Sequence, residues 1–120
     1  MVFSDLPNNR MMRLLEDDNH QSVFRSPSYN ANGNTVDRQG RLITCQHAGR
    51  RVMRTEFDGR ISIVADRYNG KNLILRTMWS WRPTTCANLT FGGVLRDRLY
   101  MCASTFVYAL YVNTQGAAVP

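Results

Sequence analysis

Short runs in which apolar and polar residues alternate recur along the chain, separated by clusters of Pro, Asn, Asp and Gly. A period of two between turn residues marks half-buried β-strands. Residues 2–5 form the first predicted strand, and Pro7-Asn8-Asn9 a turn. Residues 10–15 and 22–25 follow as strands about an Asp17-Asp18-Asn19 turn. Residues 26–35, rich in Ser, Pro, Asn and Gly, read as a long loop. Strands are predicted next at 41–45, 51–56 and 61–65, joined by Ala48-Gly49 and by the hairpin signal Asp58-Gly59. Two more are predicted at 98–103 and 106–112. Nothing before residue 70 carries a 3.6-residue period, so the expected fold class is all-β.

The pattern repeats. A shift of 41 positions lays Asn9-Arg10-Met11-Met12-Arg13 on Arg50-Arg51-Val52-Met53-Arg54 without a gap. The same shift lays Asp17-Asp18 on Asp58-Gly59 and Ser22-Val23-Phe24 on Ile63-Val64-Ala65. A period of about 40–45 residues with about four short strands is the signature of a β-propeller blade. A chain of 120 residues supplies about two such blades and part of another. That is fewer than the four to eight that close known propeller rings, so an incomplete propeller with open sheet edges is expected.

Composition narrows the function classes. Apolar content is 43% and charged content 20%, ordinary globular values. No apolar run approaches the roughly 20 residues that span a bilayer, and residues 1–13 lack a signal-peptide layout. The formal charge is +6, and Lys71 is the only lysine. The arginines lie singly or in pairs such as Arg50-Arg51, without the localised basic stripe that nucleic acid requires. No nucleic-acid or membrane partner is expected. Cys45, Cys86 and Cys102 form no CxxC, so they read as buried reduced thiols of a cytoplasmic protein. His20 and His47 are the only histidines, and no G-x-S-x-G is present.

Several segments taken together resemble the regucalcin/gluconolactonase family. Val2-Phe3-Ser4-Asp5-Leu6-Pro7-Asn8-Asn9-Arg10 resembles the run that ends that family's first blade. Asn32-Gly33-Asn34-Thr35, Asp37 and Gln39 to Cys45 look like the opening of the next blade. His47, Arg50-Arg51-Val52, Thr55-Glu56, Ala65 to Tyr68 and Gly70-Lys71 continue it. Asn88 to Gly93, Arg98-Leu99-Tyr100 and Tyr108 to Val112 resemble the end of the last blade. The likeness covers about 100 of the 120 residues. It implies a six-bladed propeller whose channel holds one divalent cation such as calcium and hydrolyses a sugar lactone. The cation would polarise the lactone carbonyl and activate a water. The resemblance also places Asn32 where the family contacts sugar hydroxyls.

The family's cation ligands are not matched. The glutamate of an "E-G-P" motif would precede Val2, and the "N-S-P-N-D" motif expected after residues 70–73 is missing. A further ligand belongs to a later blade for which the chain has no room. Residues 74–84, Ile74 to Thr84, hold Trp79 and Trp81 and fit no blade. The family's N-S-P-N-D-V-V-V, read one base later in arginine-biased codons, translates into the start of this segment. The chain therefore divides into residues 1–73 (the end of the first blade and the second blade), an out-of-frame junction at 74–85, and 86–120 (a remnant of the last blade). The expected function is that of a gluconolactonase-like fragment without activity, metal or other cofactor. Two alternatives stand beside it: a lactonase completed by self-association through exposed blade edges, and a small β binding module.

Overall fold

The computed structural model describes residues 1–68, 70–72, 86–103 and 106–117. The predicted junction at 74–85, with both tryptophans, lies outside the described residues. The described residues form twelve strands: β1 (Val2–Asp5), β2 (Arg10–Leu14), β3 (Gln21–Arg25), β4 (Ala31–Val36), β5 (Leu42–Gln46), β6 (Arg51–Thr55), β7 (Ile61–Ala65), β8 (Arg67–Tyr68), β9 (Lys71–Asn72), β10 (Cys86–Gly92), β11 (Arg98–Ala103) and β12 (Phe106–Tyr111). They form three antiparallel meanders, β1-β2-β3, β4-β5-β6-β7 and β10-β11-β12, and the small hairpin β8-β9. No helix occurs among the described residues.

The internal repeat is a structural one. Val2 pairs with Arg13 and Asp5 with Arg10; 41 positions on, Ile43 pairs with Arg54 and Gln46 with Arg51. A bulge opens between Met11 and Met12 and again at their counterparts, Val52 and Met53. Asn9 and Arg50, also 41 apart, close equivalent turns at φ 51° and 50°. The gapless alignment fails only in the last strand of each unit. Asp18 accepts from the His20 N–H as Asp58 does from the Arg60 N–H, and Asn19 (φ 57°) occupies the place of Gly59 (φ 84°). Asp58 is therefore the counterpart of Asp18, not Asp17, and Val23 that of Ile63. The Leu15–His20 turn is one residue longer than the Glu56–Arg60 turn, as the closing N–H···O bonds show.

The four-stranded sheet lies between the other two, and its strands divide their side chains between two neighbours. On β5 and β6, Ile43, Cys45 and Val52 join Leu89, Phe91, Leu99 and Met101 of the β10–β12 sheet in one core. Thr44, Gln46 and Met53, also buried, serve the opposite side. Arg25 of β3 reaches Thr55 Oγ1 at 2.9 Å and Met53 Sδ at 4.0 Å. Burial on both faces explains why β5 breaks the half-buried alternation, with four buried residues in succession.

Strand β4 corrects the long-loop expectation for residues 26–35. Asn, Gly and Asn are poor strand formers, yet this strand packs along β10. A Cβ on Gly33 would stand 2.9 Å from Asn88 Cα, so the close approach requires glycine. Hairpin β8-β9 and strand β10 were likewise not predicted as strands. Cys45 is buried as expected, whereas Cys102 is exposed on the outer face of the last sheet. The segment after β12 returns to β4, where Gly116 bridges Asp37 and Gln115 O accepts from the Arg38 N–H at 2.6 Å.

Candidate functional site

Three connections meet at the end of the stack where β4 begins. Asn9 is their hub. Its carbonyl accepts from the Ser28 N–H at 2.8 Å, and its Oδ1 accepts from the Asn30 N–H at 2.9 Å and from Ser28 Oγ at 3.2 Å. The Asn30 and Tyr29 carbonyls accept from the N–H groups of His47 and Ala48. Beneath them, buried Gln46 donates through Nε2 to Ser28 O and accepts from Arg51 Nε at 2.8 Å. The arrangement follows from local chemistry: Asn tolerates the left-handed backbone that each tight turn needs, and its amide then satisfies a neighbouring turn.

From this knot a polar ladder runs along β4. Ser4 Oγ donates to Asn32 O at 3.1 Å. Asn34 Nδ2 donates to Ser4 Oγ and Asn32 O, and its Oδ1 accepts from Thr44 Oγ1 at 3.0 Å. Asn34 is thereby fully used in holding β1, β4 and β5 together. Asn32 is half-buried, and its side-chain amide bonds no other described residue. An amide in this state can donate to and accept from a vicinal diol. Asn30 shares the property, although no family resemblance singles it out.

Asp5, Asp37 and Glu56 are committed elsewhere. Asp5 accepts from Arg10 Nε at 2.7 Å and from Asn8 Nδ2, which hold its carboxyl below the usual range. Asp37 is fully buried and closes the β4–β5 turn: it accepts from the N–H groups of Gln39 and Arg41 and from the Arg41 guanidinium. Glu56 is shared by Arg41 at 3.0 Å and Arg54 at 2.7 Å. Hydrogen bonds from Ser62, then Arg54, bring its pKa down to about 2. Asp66 is exposed. His20 and His47 sit in turns at opposite ends of the stack.

Among the described residues, no three His, Cys, Asp or Glu side chains converge. Calcium takes six to eight oxygen ligands, carboxylates prominent among them. Carboxylates already saturated by guanidinium and backbone donors do not fit that requirement. Of the sequence-named positions, Asn32 lies at the β4 ladder, while Asp5, Asp37 and Asp66 are dispersed. The Asn9–Ser28–Gln46–Arg51 knot was not anticipated; the one sequence signal for it was Asn9 standing at the repeat position of Arg50.

No protein-family model matches the sequence, and no curated protein matches it. Solved structures do. A gluconolactonase from Xanthomonas campestris superposes with a TM-score of 0.70 at 25% identity, over 98% of this chain and 42% of that one. A second protein, a gluconolactonase by assignment only, gives 0.56 at 17% identity over 98% of this chain and 86% of that one, and shares the fold alone. The virginiamycin B lyase of Staphylococcus aureus, solved with quinupristin, gives 0.51 at 13% identity and shares the fold alone, over 93% of this chain and 37% of the lyase. The chain thus spans less than half the length of the Xanthomonas protein. Its three stacked meanders form an incomplete all-β propeller whose structural neighbours include gluconolactonases.

Proposed function

We propose that the chain is a fragment of a gluconolactonase-type sugar lactone hydrolase that cannot turn over lactone, because it does not assemble a cation centre. The observation that carries this is the state of its acids. Asp5, Asp37 and Glu56 are each ion-paired with arginine, and no set of three ligand side chains converges among the described residues. Lactone opening needs an electrophile at the carbonyl and an activated water. Neither role has a candidate on β4 or its flanking turns among the described residues, where the neutral amides of Asn30 and Asn32 are among the uncommitted groups. In this reading Asn32 is a surviving sugar contact without the chemistry it once served. The protein is cytoplasmic and uses neither nucleic acid nor a membrane.

Self-association is the second reading. The outer faces of the first and last sheets expose Val23 (51%), Val107 (65%) and Tyr111 (66%), where further blades would pack in a closed ring. A second copy covering these faces could complete a channel.

Hydrolysis of δ-gluconolactone, followed by base uptake at constant pH with Ca²⁺, Zn²⁺ or Mn²⁺ present, tests the proposal. The expected rate equals the spontaneous one. Saturable turnover proportional to protein concentration would overturn it.

A further inference from the structure

A groove of about 750 Å³ opens between the first sheet and the middle sheet, on the side of Asn34 away from the turn knot. Its volume falls within the range of small-molecule sites. The walls carry Val2, Phe24, Val36, Leu42 and Phe57. Val36 is 43% exposed and Phe57 79%, so apolar surface faces solvent here. Two arginines line the groove, and they differ in kind. Arg41 is neutralised by Asp37 and Glu56. Arg25 is half-buried and has no Asp or Glu at ion-pair distance among the described residues. Its bonds go to the neutral acceptors Thr55 Oγ1 and Met53 Sδ. Arg41 and Arg54 are both held by Glu56, and Arg41 also by Asp37, so among the lining arginines the guanidinium without an ion-pair partner is that of Arg25.

An arginine withdrawn from water without a counter-ion is costly. Burial holds the Arg25 guanidinium below its ordinary pKa, but an arginine so placed remains charged at neutral pH. Of its five N–H donors, the bonds to Thr55 and Met53 use two. The remainder can take a carboxylate in bidentate fashion.

We propose that this groove binds a small amphipathic monocarboxylate, its carboxylate on Arg25 and its apolar body along Phe24, Val36 and Phe57. The site adjoins the β4 ladder at Asn34 but uses neither Asn32 nor the turn knot. Neither a neutral sugar lactone nor a divalent cation satisfies it, because one lacks the charge and the other has the wrong sign.

Calorimetric titration with octanoate tests the site, with octylammonium as the charge-reversed control. Octanoate should bind at one site per chain, at least about tenfold more tightly than octylammonium. Arg25→Met should weaken octanoate by about tenfold or more. Because Arg25 also braces two sheets, Val36→Asp supplies an independent test: it sets a carboxylate on an exposed wall and should weaken octanoate by about tenfold. Equal binding of the two probes, or unchanged octanoate affinity in a folded Arg25→Met or Val36→Asp variant, would overturn the assignment.

Discussion

Asp37 is the residue whose carboxylate does most for the fold. It accepts from two backbone N–H groups and the Arg41 guanidinium, and it lies within reach of Thr114 in the returning tail. Asp37→Ala would strand all of these in a buried site and should cost about 3 kcal/mol in chemical denaturation. Asp37→Asn keeps an acceptor for the turn and should lose less. Glu56 gives a pH signature. Its folded pKa, about 2, lies below the ordinary 4.5, so the unfolded chain takes up the proton first on acidification. Its stabilising contribution is complete above roughly pH 4.5 and fades as pH falls toward 2; Asp5 is displaced in the same direction. The urea midpoint should therefore drop over that window, and Glu56→Gln should flatten the drop. The sequence marked Asp37 and Glu56 only as members of a family pattern. Arg41 reaches Asp37 four positions back within one turn and Glu56 15 positions on across the β-meander, and the second pairing has no local spacing to reveal it.

At the scale of strands, the alternating pattern located most of the meander because period-two burial is a local property. It failed at β4. There, packing against β10 and hydrogen bonds to Ser4 override the weak strand propensity of Asn32-Gly33-Asn34. Asn32 was legible only through resemblance, since its uncommitted amide is a matter of tertiary bonding. Gly33→Ala puts a methyl group into the backbone of β10 and should cost about 1–3 kcal/mol in denaturant unfolding. The repeat supplies a prediction of the opposite sign. Arg50 holds the left-handed backbone that Asn9 holds in the first unit, and asparagine tolerates it better. Arg50→Asn should raise stability by about 0.5–1 kcal/mol, read as a higher thermal midpoint with the same unfolding cooperativity.

At the scale of the molecule, three sheets stack, and among the described residues the middle one alone is covered on both sides. Open propeller faces leave apolar area that a closed ring would bury. Strand β12 adds a charge-free run, Phe106 to Tyr111, with the profile of a self-pairing segment. Sedimentation over a range of concentrations should show reversible association that a Val107→Lys substitution reduces; a strict monomer would remove the second functional reading. The meander repeat was legible from the repeat period, whereas the order of the stack was not, because β10 meets β4 across more than 50 positions of sequence. Calorimetric titration of the purified chain with Ca²⁺, Zn²⁺ and Mn²⁺ tests the proposed absence of a cation centre. No submillimolar site is expected for any of the three cations; one such site per chain would overturn the proposal.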